Sequence, residues 1–254
     1  MKALGPDEKE KAEAPAPGTS IKLPRVSLVI PTLNEERNLP LLFPKLPGWL
    51  HEVILVDGCS RDNTIAVAKS LLPDIKVVLE RRRGKGAALR AGFAAATGDI
   101  IVILDADGSM NPDEIIMLVG ALTCGADLVK GSRFIQGGGT DDMTIFRMVG
   151  NWGLTKIVRI LYGASFSDLC YGYLGFWSRH ARVLTPNSDG FEVETFLNVQ
   201  ALKMGLKILE IPSFESNRAF GESNLRAIPD GWKVLKTILR ERVTAPPFKS
   251  KQIA

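Results

Sequence analysis

The sequence predicts a single α/β domain built on a mostly parallel sheet with helices on both faces. Three observations lead to this prediction. From residue 25 onward, short apolar runs alternate with helical stretches, and strict alternation is typical of right-handed βαβ units. The runs are almost continuously apolar, as expected for strands that are buried on both faces. The chain has 254 residues, 45% of them hydrophobic, which is enough for one full core.

The first half of the predicted domain, residues 25–134, contains five predicted strands. Their sequences are RVSLVIP, EVILVD, IKVVLE, DIIVILD and ADLVKGSRF. Helical stretches lie between them, and strands joined through helices pair in parallel. The predicted helices are at about residues 36–46, 62–72, 85–96 and 111–122.

The pattern changes in the second half, residues 135–246. A glycine-rich loop, QGGGTDD, precedes a long amphipathic helix in MTIFRMVGNWGLTKIVRILYG, a helix in FEVETFLNVQALKMG, a strand in LKILEIPSF and a basic helix in DGWKVLKTILRER. No linker between the halves is long enough to separate two folding units, so residues 25–246 are predicted to form one domain. Residues 1–24, which have few bulky apolar side chains, are predicted to be a flexible tail, and residues 247–254 a second tail.

Composition and charge limit the possible functions. No run approaches the roughly 18 apolar residues of a membrane span, and the first twenty residues lack the apolar core of a secretory signal. We therefore expect a cytoplasmic protein. Three cysteines without paired spacing argue against a disulfide framework or a zinc cluster. The net charge of +4 fits a phosphate-bearing ligand, an anionic membrane surface or nucleic acid equally well.

Polar residues cluster where three predicted strands end. The segment PTLNE follows strand one, Asp57 ends strand two, and Asp105 and Asp107 follow strand four. Ligands of open parallel sheets bind at the carboxyl ends of the strands. Two carboxylates so close together repel each other, and a hard cation such as Mg²⁺ or Mn²⁺ is the usual remedy. Because magnesium prefers substrate phosphates among its ligands, the pair predicts a phosphate-bearing ligand.

Several motifs together resemble family 2 glycosyltransferases of the GT-A fold, over nearly all of residues 25–241. They are VIPTLNEERN, VDGCSRDNT, GKGAALRAGFAAATGD, ILDADGSMNPDEI, VKGSRF, DGFEVETFLNVQALKMG and IPSFESNRAFGESNL. Within this family, the sequence is most similar to dolichol-phosphate and polyprenyl-phosphate sugar transferases. The resemblance implies a Rossmann-like sheet that binds a UDP- or GDP-sugar and a C-terminal half on the acceptor side. It also implies a polyprenyl-phosphate acceptor and no nucleic-acid partner.

The resemblance also implies roles for individual residues. Some relatives differ at positions near the site: Gly58 stands where many have an aspartate, and Ser109 where they have a glutamine. Independently of the resemblance, Gly84-Lys85-Gly86 begins a helix whose positive end can face anions. The implied donor-site residues are Pro31, Asn34 and Glu35 for the nucleoside, Asp57 for the base, Lys85 near the nucleotide, Asp105 facing ribose and metal, and Asp107 as principal metal ligand.

Three arginines are candidates for binding the anionic leaving group, because a guanidinium presents a fixed fork of donors. They are Arg133 in GSRF, Arg147 on the following helix, and Arg218 in SNRAFGESNL. Each is also compatible with a solvated surface position. Arg218 precedes Gly221-Glu222-Ser223, a loop of the type that closes over ligands, and Ser223 is expected among the donor-binding residues.

The sequence offers no obvious histidine base. His51 and His180 lie outside the strand-end loops, and His180 is predicted to be a surface residue. A phosphate monoester is already anionic at pH 7 and needs no base, which fits a lipid-phosphate acceptor. An alcohol acceptor would need a carboxylate base, for which Glu192 and Glu194 are candidates, although either residue is also compatible with a helix start.

Two basic amphipathic segments, around Trp152 and around Trp232, are compatible with a membrane interface or with packing onto the core of the protein. The leading hypothesis is a metal-dependent inverting glycosyltransferase at the cytoplasmic face of a membrane, moving a sugar from a nucleotide donor to a polyprenyl phosphate. Three alternatives remain: a soluble glycosyltransferase acting on a hydroxyl of a small metabolite or glycan, a non-catalytic nucleotide-sugar binder, and a nucleotidyltransferase.

Overall fold

The computed structural model describes residues 23–221 and 226–244. All the strands that the sequence predicted are present in this part of the chain. Most of the predicted tail 1–24, and all of the predicted tail 247–254, lie outside it. The strands are β1 (Val26–Thr32), β2 (Glu52–Asp57), β3 (Lys76–Leu79), β4 (Ile100–Ile103), β5 (Leu128–Ser132), β6 (Gly139–Thr140), β7 (Leu174–Trp177), β8 (Ile208–Pro212) and β9 (Phe214–Glu215).

The predicted helices are also present, and the first is shorter than expected. It ends at Leu42 and continues as a 3₁₀ turn, Phe43–Lys45, because Pro44 has no amide hydrogen for a helical bond. The helices are α1 (Leu39–Leu42), α2 (Thr64–Leu71), α3 (Lys85–Ala95), α4 (Ile115–Thr123), α5 (Ile145–Tyr162), α6 (Ala181–Leu184), α7 (Val193–Lys203) and α8 (Ala227–Val243).

Among the described residues, seven strands form one sheet in the order β3-β2-β1-β4-β7-β5-β8. Neighbouring strands are parallel except at β7, which is antiparallel to both β4 and β5. β7 was not predicted from the sequence, because its short apolar run, LGFW, lies beyond the region in which strands and helices alternate. β1 lies between β2 and β4, so the carboxyl ends of these three strands meet at one edge of the sheet.

Helices cover both faces of the sheet, as predicted. Alternate residues of each central strand point to opposite faces: Leu28 packs with the core that includes α4, and Val29 with the core that includes α3 and α7. Gly92 lets α3 approach closely, since a Cβ there would lie 2.4 Å from Val29 Cγ1. The three cysteines are free, as predicted.

A buried ion cluster fixes the second half of the domain to β5. Arg133 Nε and Nη2 lie 2.7 and 2.9 Å from the Asp168 carboxylate, and Nη1 lies 2.9 Å from Glu215 Oε2. The buried Lys130 ammonium donates to the backbone carbonyl of Asp168, and Asn151 Nδ2 donates from α5 to Asp168 Oδ1 at 3.0 Å. Removing the Asp168 carboxylate would leave the buried Arg133 guanidinium without its bidentate partner, a strongly destabilising change.

Candidate active site

A cavity of about 620 Å³ opens at the edge of the sheet where β1, β2 and β4 end. Its wall includes the segments that follow these strands, Arg81 and Arg83 after β3, the start of α3, residues 190 and 191, and Arg218. The structure thus brings together most of the residues that the sequence suggested for the donor site. These are Pro31, Asn34, Glu35, Lys85, Asp105, Asp107 and Arg218.

Asp105 and Asp107 each have a cationic partner. Lys85 Nζ lies 2.7 Å from Asp105 Oδ1, and Arg218 Nη2 lies 3.0 Å from Asp107 Oδ2. The Ser109 amide and hydroxyl donate to Asp107 Oδ1 at 3.0 and 2.7 Å. Protein side chains therefore compensate the repulsion between the carboxylates. Because Lys85 and Arg218 already offset the repulsion between Asp105 and Asp107, this repulsion does not by itself require a divalent ion, as the sequence had suggested.

The chemistry of this wall still fits Mg²⁺ or Mn²⁺. Magnesium commonly takes one or two carboxylates from a protein and completes its coordination with water and substrate phosphates. In residues 23–221 and 226–244, no group of three or more His, Cys, Asp or Glu side chains is arranged to hold a metal ion. Asp107 would be a carboxylate ligand of such an ion, and water and substrate phosphates would supply the others.

Lys85 also binds Glu194, whose Oε1 lies 2.8 Å from Lys85 Nζ. Burial by itself lowers the pKa of Lys85, but Asp105 and Glu194 outweigh it and raise the pKa above its ordinary value. Burial raises the pKa of Glu194, and Lys85 opposes the rise. Gly172 makes room for this pair, since a Cβ there would lie 2.7 Å from Lys85 Nζ. Glu194, a candidate base, is thus engaged as the second carboxylate partner of Lys85.

The two glycines beside Lys85 allow close contact with a neighbouring loop. Gly86 N donates to Asp189 O at 2.9 Å. A Cβ at Gly84 would lie 1.9 Å from Asp189 O, and one at Gly86 would lie 2.1 Å from Ser188 O. The Gly86 amide, which the sequence suggested could bind an anion, therefore donates to the backbone carbonyl of Asp189 instead.

Hydrogen bonds between the first two strand-end segments form the wall proposed for the nucleoside. Asn34 adopts φ 60°, its amide donates to Ser60 Oγ at 2.9 Å, and its Oδ1 accepts from Arg61 N at 2.8 Å. The Glu35 amide donates to Thr64 Oγ1 at 2.8 Å. Asn34 therefore shapes the wall of the cavity as well as lining it.

Asp57, suggested as a base contact, is 1% exposed and immediately precedes Gly58, which lines the cavity. Its Oδ2 accepts from Ser60 N at 2.9 Å. Its Oδ1 is buried and has no hydrogen-bond partner among the described residues. Leaving a buried carboxylate oxygen unpaired is costly. Asp57 does not itself line the cavity, so its contact with a base remains a prediction.

Arg133 and Arg147 do not line the cavity of about 620 Å³. They line a smaller one of about 120 Å³, together with Glu194 and Phe191, and Phe191 also lines the cavity that contains the aspartates. Arg147 Nη1 donates to Asp142 O at 3.2 Å. Of the three candidate arginines, only Arg218 lies beside the aspartates, and the roles of the other two on the leaving group remain predictions.

Ser223, expected among the donor-binding residues, lies outside the described residues.

His180 is 2% exposed, so its prediction as a surface residue is wrong. Its Nε2 lies 3.1 Å from Asp127 Oδ1, and burial lowers its pKa.

Residues 27–227 match the sequence model of the family described as glycosyl transferase family 2. The chain is 31% identical over 233 residues to polyprenol monophosphomannose synthase of Mycolicibacterium smegmatis, covering 87% of this chain and 88% of the relative. It is 31% identical over 212 residues to dolichol-phosphate mannosyltransferase of Pyrococcus furiosus, covering 80% of this chain and 59% of that longer relative. The predicted resemblance to polyprenyl-phosphate sugar transferases is therefore confirmed.

Solved structures have the same fold. Glucosyl-3-phosphoglycerate synthase from Mycobacterium tuberculosis, in complex with phosphoglyceric acid, is similar with a TM-score of 0.67 and 26% identity, covering 86% of this chain and 80% of that chain. Its complex with Mg²⁺ and uridine diphosphate gives a TM-score of 0.66 at 26% identity, covering 86% and 79%. The fold is GT-A, as predicted. The chain belongs to glycosyl transferase family 2 and is a glycosyltransferase.

Proposed function

We propose that this glycosyltransferase moves a sugar from a nucleotide donor to a polyprenyl phosphate, with inversion at the anomeric carbon and with Mg²⁺ or Mn²⁺ as cofactor. The observation that carries the proposal is the cavity wall on which Asp105 and Asp107 meet Lys85 and Arg218. This wall combines oxygen ligands for a hard metal ion with a cation for a leaving diphosphate. The names of the curated relatives support a polyprenyl-phosphate acceptor.

On the donor side, the nucleoside lies against Pro31, Asn34 and Glu35. The unpaired Asp57 Oδ1 accepts from the base, and uracil and guanine both carry suitable N–H groups. Asp107, with Asp105, would hold the metal ion, which would supply positive charge for the diphosphate. Arg218, released from Asp107, donates to the same phosphates. Both a UDP- and a GDP-sugar meet these requirements.

On the acceptor side, the phosphate enters from the smaller cavity, where Arg147 faces it. Arg133 lines the same cavity, but Asp168 and Glu215 already balance its charge. A phosphate monoester oxygen is anionic at neutral pH, so it attacks the anomeric carbon without a base. It attacks the face opposite the diphosphate, which inverts the configuration. Glu194 then serves to hold Lys85, as their 2.8 Å contact suggests.

A hydroxyl acceptor is the second candidate. The similar synthase of known structure carries phosphoglyceric acid in its complex, and Glu194 borders the acceptor-side cavity. The raised pKa of Glu194 is the type of adjustment that general bases show. In this alternative, Glu194 takes the proton of the attacking hydroxyl.

Product analysis distinguishes the two candidates. We expect label from a radioactive UDP- or GDP-sugar to enter a lipid fraction when Mn²⁺ and a polyprenyl phosphate are present, and not when the matching polyprenol replaces the phosphate. Glu194→Gln should retain measurable transfer, because the phosphate needs no base. Transfer only to a soluble alcohol, abolished by Glu194→Gln, would contradict the lipid-phosphate proposal.

The acceptor-side half also presents an apolar and basic surface that suits a membrane interface. On α5, Ile145, Trp152 and Ile160 are 80, 63 and 72% exposed, and on the neighbouring α8, Ile228 and Trp232 are 73 and 58% exposed. Lysines lie over both tryptophan rings. No helix in the described ranges has the length and apolar character needed to cross a bilayer. We propose that this exposed apolar and basic surface contacts the membrane peripherally, at its cytoplasmic face.

Substitution of a surface tryptophan tests this membrane contact. Trp152→Glu should weaken binding to vesicles of anionic lipid by at least about tenfold, because an apolar ring no longer enters the interface. Trp49→Glu is the matched control, since Trp49 is also exposed (48%) but lies in the donor half. Co-sedimentation with vesicles provides the measurement, and equal binding by both variants would contradict the proposed surface.

Glu35 gives the ligand-free site a distinct dependence on pH. Burial raises its pKa to about 7, although the Asn38 amide opposes the rise. Because this pKa lies above the value of 4.5 for a free glutamate, the folded protein binds the proton more tightly than the unfolded chain does. The contribution of Glu35 to stability is therefore complete below pH 4.5 and is lost as the pH rises through about 7.

We expect Glu35→Gln to remove this dependence. The free energy of unfolding of the unsubstituted protein, minus that of the variant, should fall by about 1–3 kcal/mol between pH 4.5 and pH 8. Urea unfolding at a series of pH values gives this difference directly. A difference that does not change with pH would show that the Glu35 proton is not bound more tightly in the folded state.

A further inference from the structure

The segment that follows β9 lies beside the donor cavity and is tied to the segment that follows β4. Ser216 N donates to Ser109 O at 2.9 Å. Two residues further on, Arg218 Nη2 lies 3.0 Å from Asp107 Oδ2. These contacts connect Arg218 to one wall of the cavity.

The same segment also contacts the opposite wall of the cavity, which is formed by residues that follow β1. The Arg37 guanidinium lies over the Phe220 ring, 4.0 Å from its centroid. Asn38 Nδ2 donates to Phe220 O at 3.2 Å and to Glu35 Oε2 at 2.6 Å. Both acceptors are oxygen atoms, which determines the orientation of the amide. We call Arg37, Asn38 and Phe220 the clasp.

We propose that the clasp positions Arg218 across the donor cavity and links its position to Glu35 on the nucleoside wall. The proposal rests on the proposed function, in which Arg218 binds the leaving diphosphate. Phe220 is two residues from Arg218, and two residues span at most about 7 Å. Release of Phe220 would therefore remove one of the contacts that hold the segment around Arg218 in place.

Asn38 provides the link to the nucleoside wall. It is 4% exposed, and its single Nδ2 serves both Glu35 and Phe220. A nucleoside that moves Glu35 therefore also changes the bond that holds Phe220. The positioning residues are Arg37, Asn38 and Phe220, and Arg218 is the residue that they position.

Two exposed members of the clasp are suited to substitution. Arg37→Met removes the cation and Phe220→Leu removes the ring, while each keeps an apolar side chain. Phe214→Leu is the matched control, because the Phe214 ring lies against Gly139 and outside the clasp. Phe220→Tyr retains an aromatic face for Arg37 and should behave as the unsubstituted protein.

The first measurement uses the ligand-free protein. Trypsin should cleave after Arg218 about fivefold faster in Arg37→Met and Phe220→Leu, with the site identified by mass spectrometry, because local opening becomes easier. The double variant should be cleaved no faster than either single variant, since both remove the same contact. Cleavage at the control rate in both variants would overturn the clasp.

The second measurement separates the clasp from the proposed function. With donor and acceptor, kcat should fall about fivefold or more in Arg37→Met and Phe220→Leu, while the KM for the donor changes less than kcat does. An unchanged kcat would overturn the role of the clasp in positioning Arg218. Faster cleavage with no transfer by the unsubstituted protein would support the clasp and overturn the proposed function alone.

Discussion

The charge of two carboxylates on one cavity wall is the constraint on which the site depends. Asp105 and Asp107 follow a fully buried strand and line the same cavity. Lys85 and Arg218 compensate them from different parts of the chain. Because Lys85 is shared with Glu194 at the start of α7, the same charge balance also joins the donor half to the acceptor half.

This arrangement gives the two cationic side chains different freedom. Lys85 is held by two carboxylates and by the space that Gly172 leaves for it. Arg218 lies on the segment that follows β9 and pairs with Asp107. In the proposed function, Lys85 keeps its carboxylate partners, whereas Arg218 exchanges Asp107 for the phosphates of the leaving group, on which negative charge builds during transfer.

The features that were predicted correctly from the sequence are those that depend on a local pattern of residues. The strands were recognisable from apolar runs such as EVILVD, and Asp105 and Asp107 from their place directly after such a run. The partners of these residues were not recognisable, because they come from distant positions: Asp168 lies 35 residues from Arg133, and Phe220 lies 182 residues from Asn38. The strand before Arg133 mixes apolar and polar residues (LVKGS), so its local pattern did not indicate that Arg133 would be buried against a carboxylate.

Glycines show the same division between local and distant information. Their presence around Lys85 was evident, and a positive helix end was the local interpretation. Their contact with residues 188 and 189 depends on a loop about a hundred residues later, which a local pattern does not contain. The acceptor half was harder to predict for a related reason: β7 enters the sheet antiparallel, after the alternation that identified the other strands has ended.

The most direct test of this account is whether Asp107 binds the metal ion that accompanies a nucleotide sugar. Thermal unfolding should be measured with UDP- and GDP-sugars, with and without Mn²⁺. The proteins to compare are the unsubstituted protein, Asp107→Asn, and Asp113→Asn, whose exposed side chain in the same segment makes it the control. We predict that Mn²⁺ enlarges the stabilisation by one of the nucleotide sugars, and that only Asp107→Asn loses this increase. An undiminished increase in Asp107→Asn would contradict the central claim.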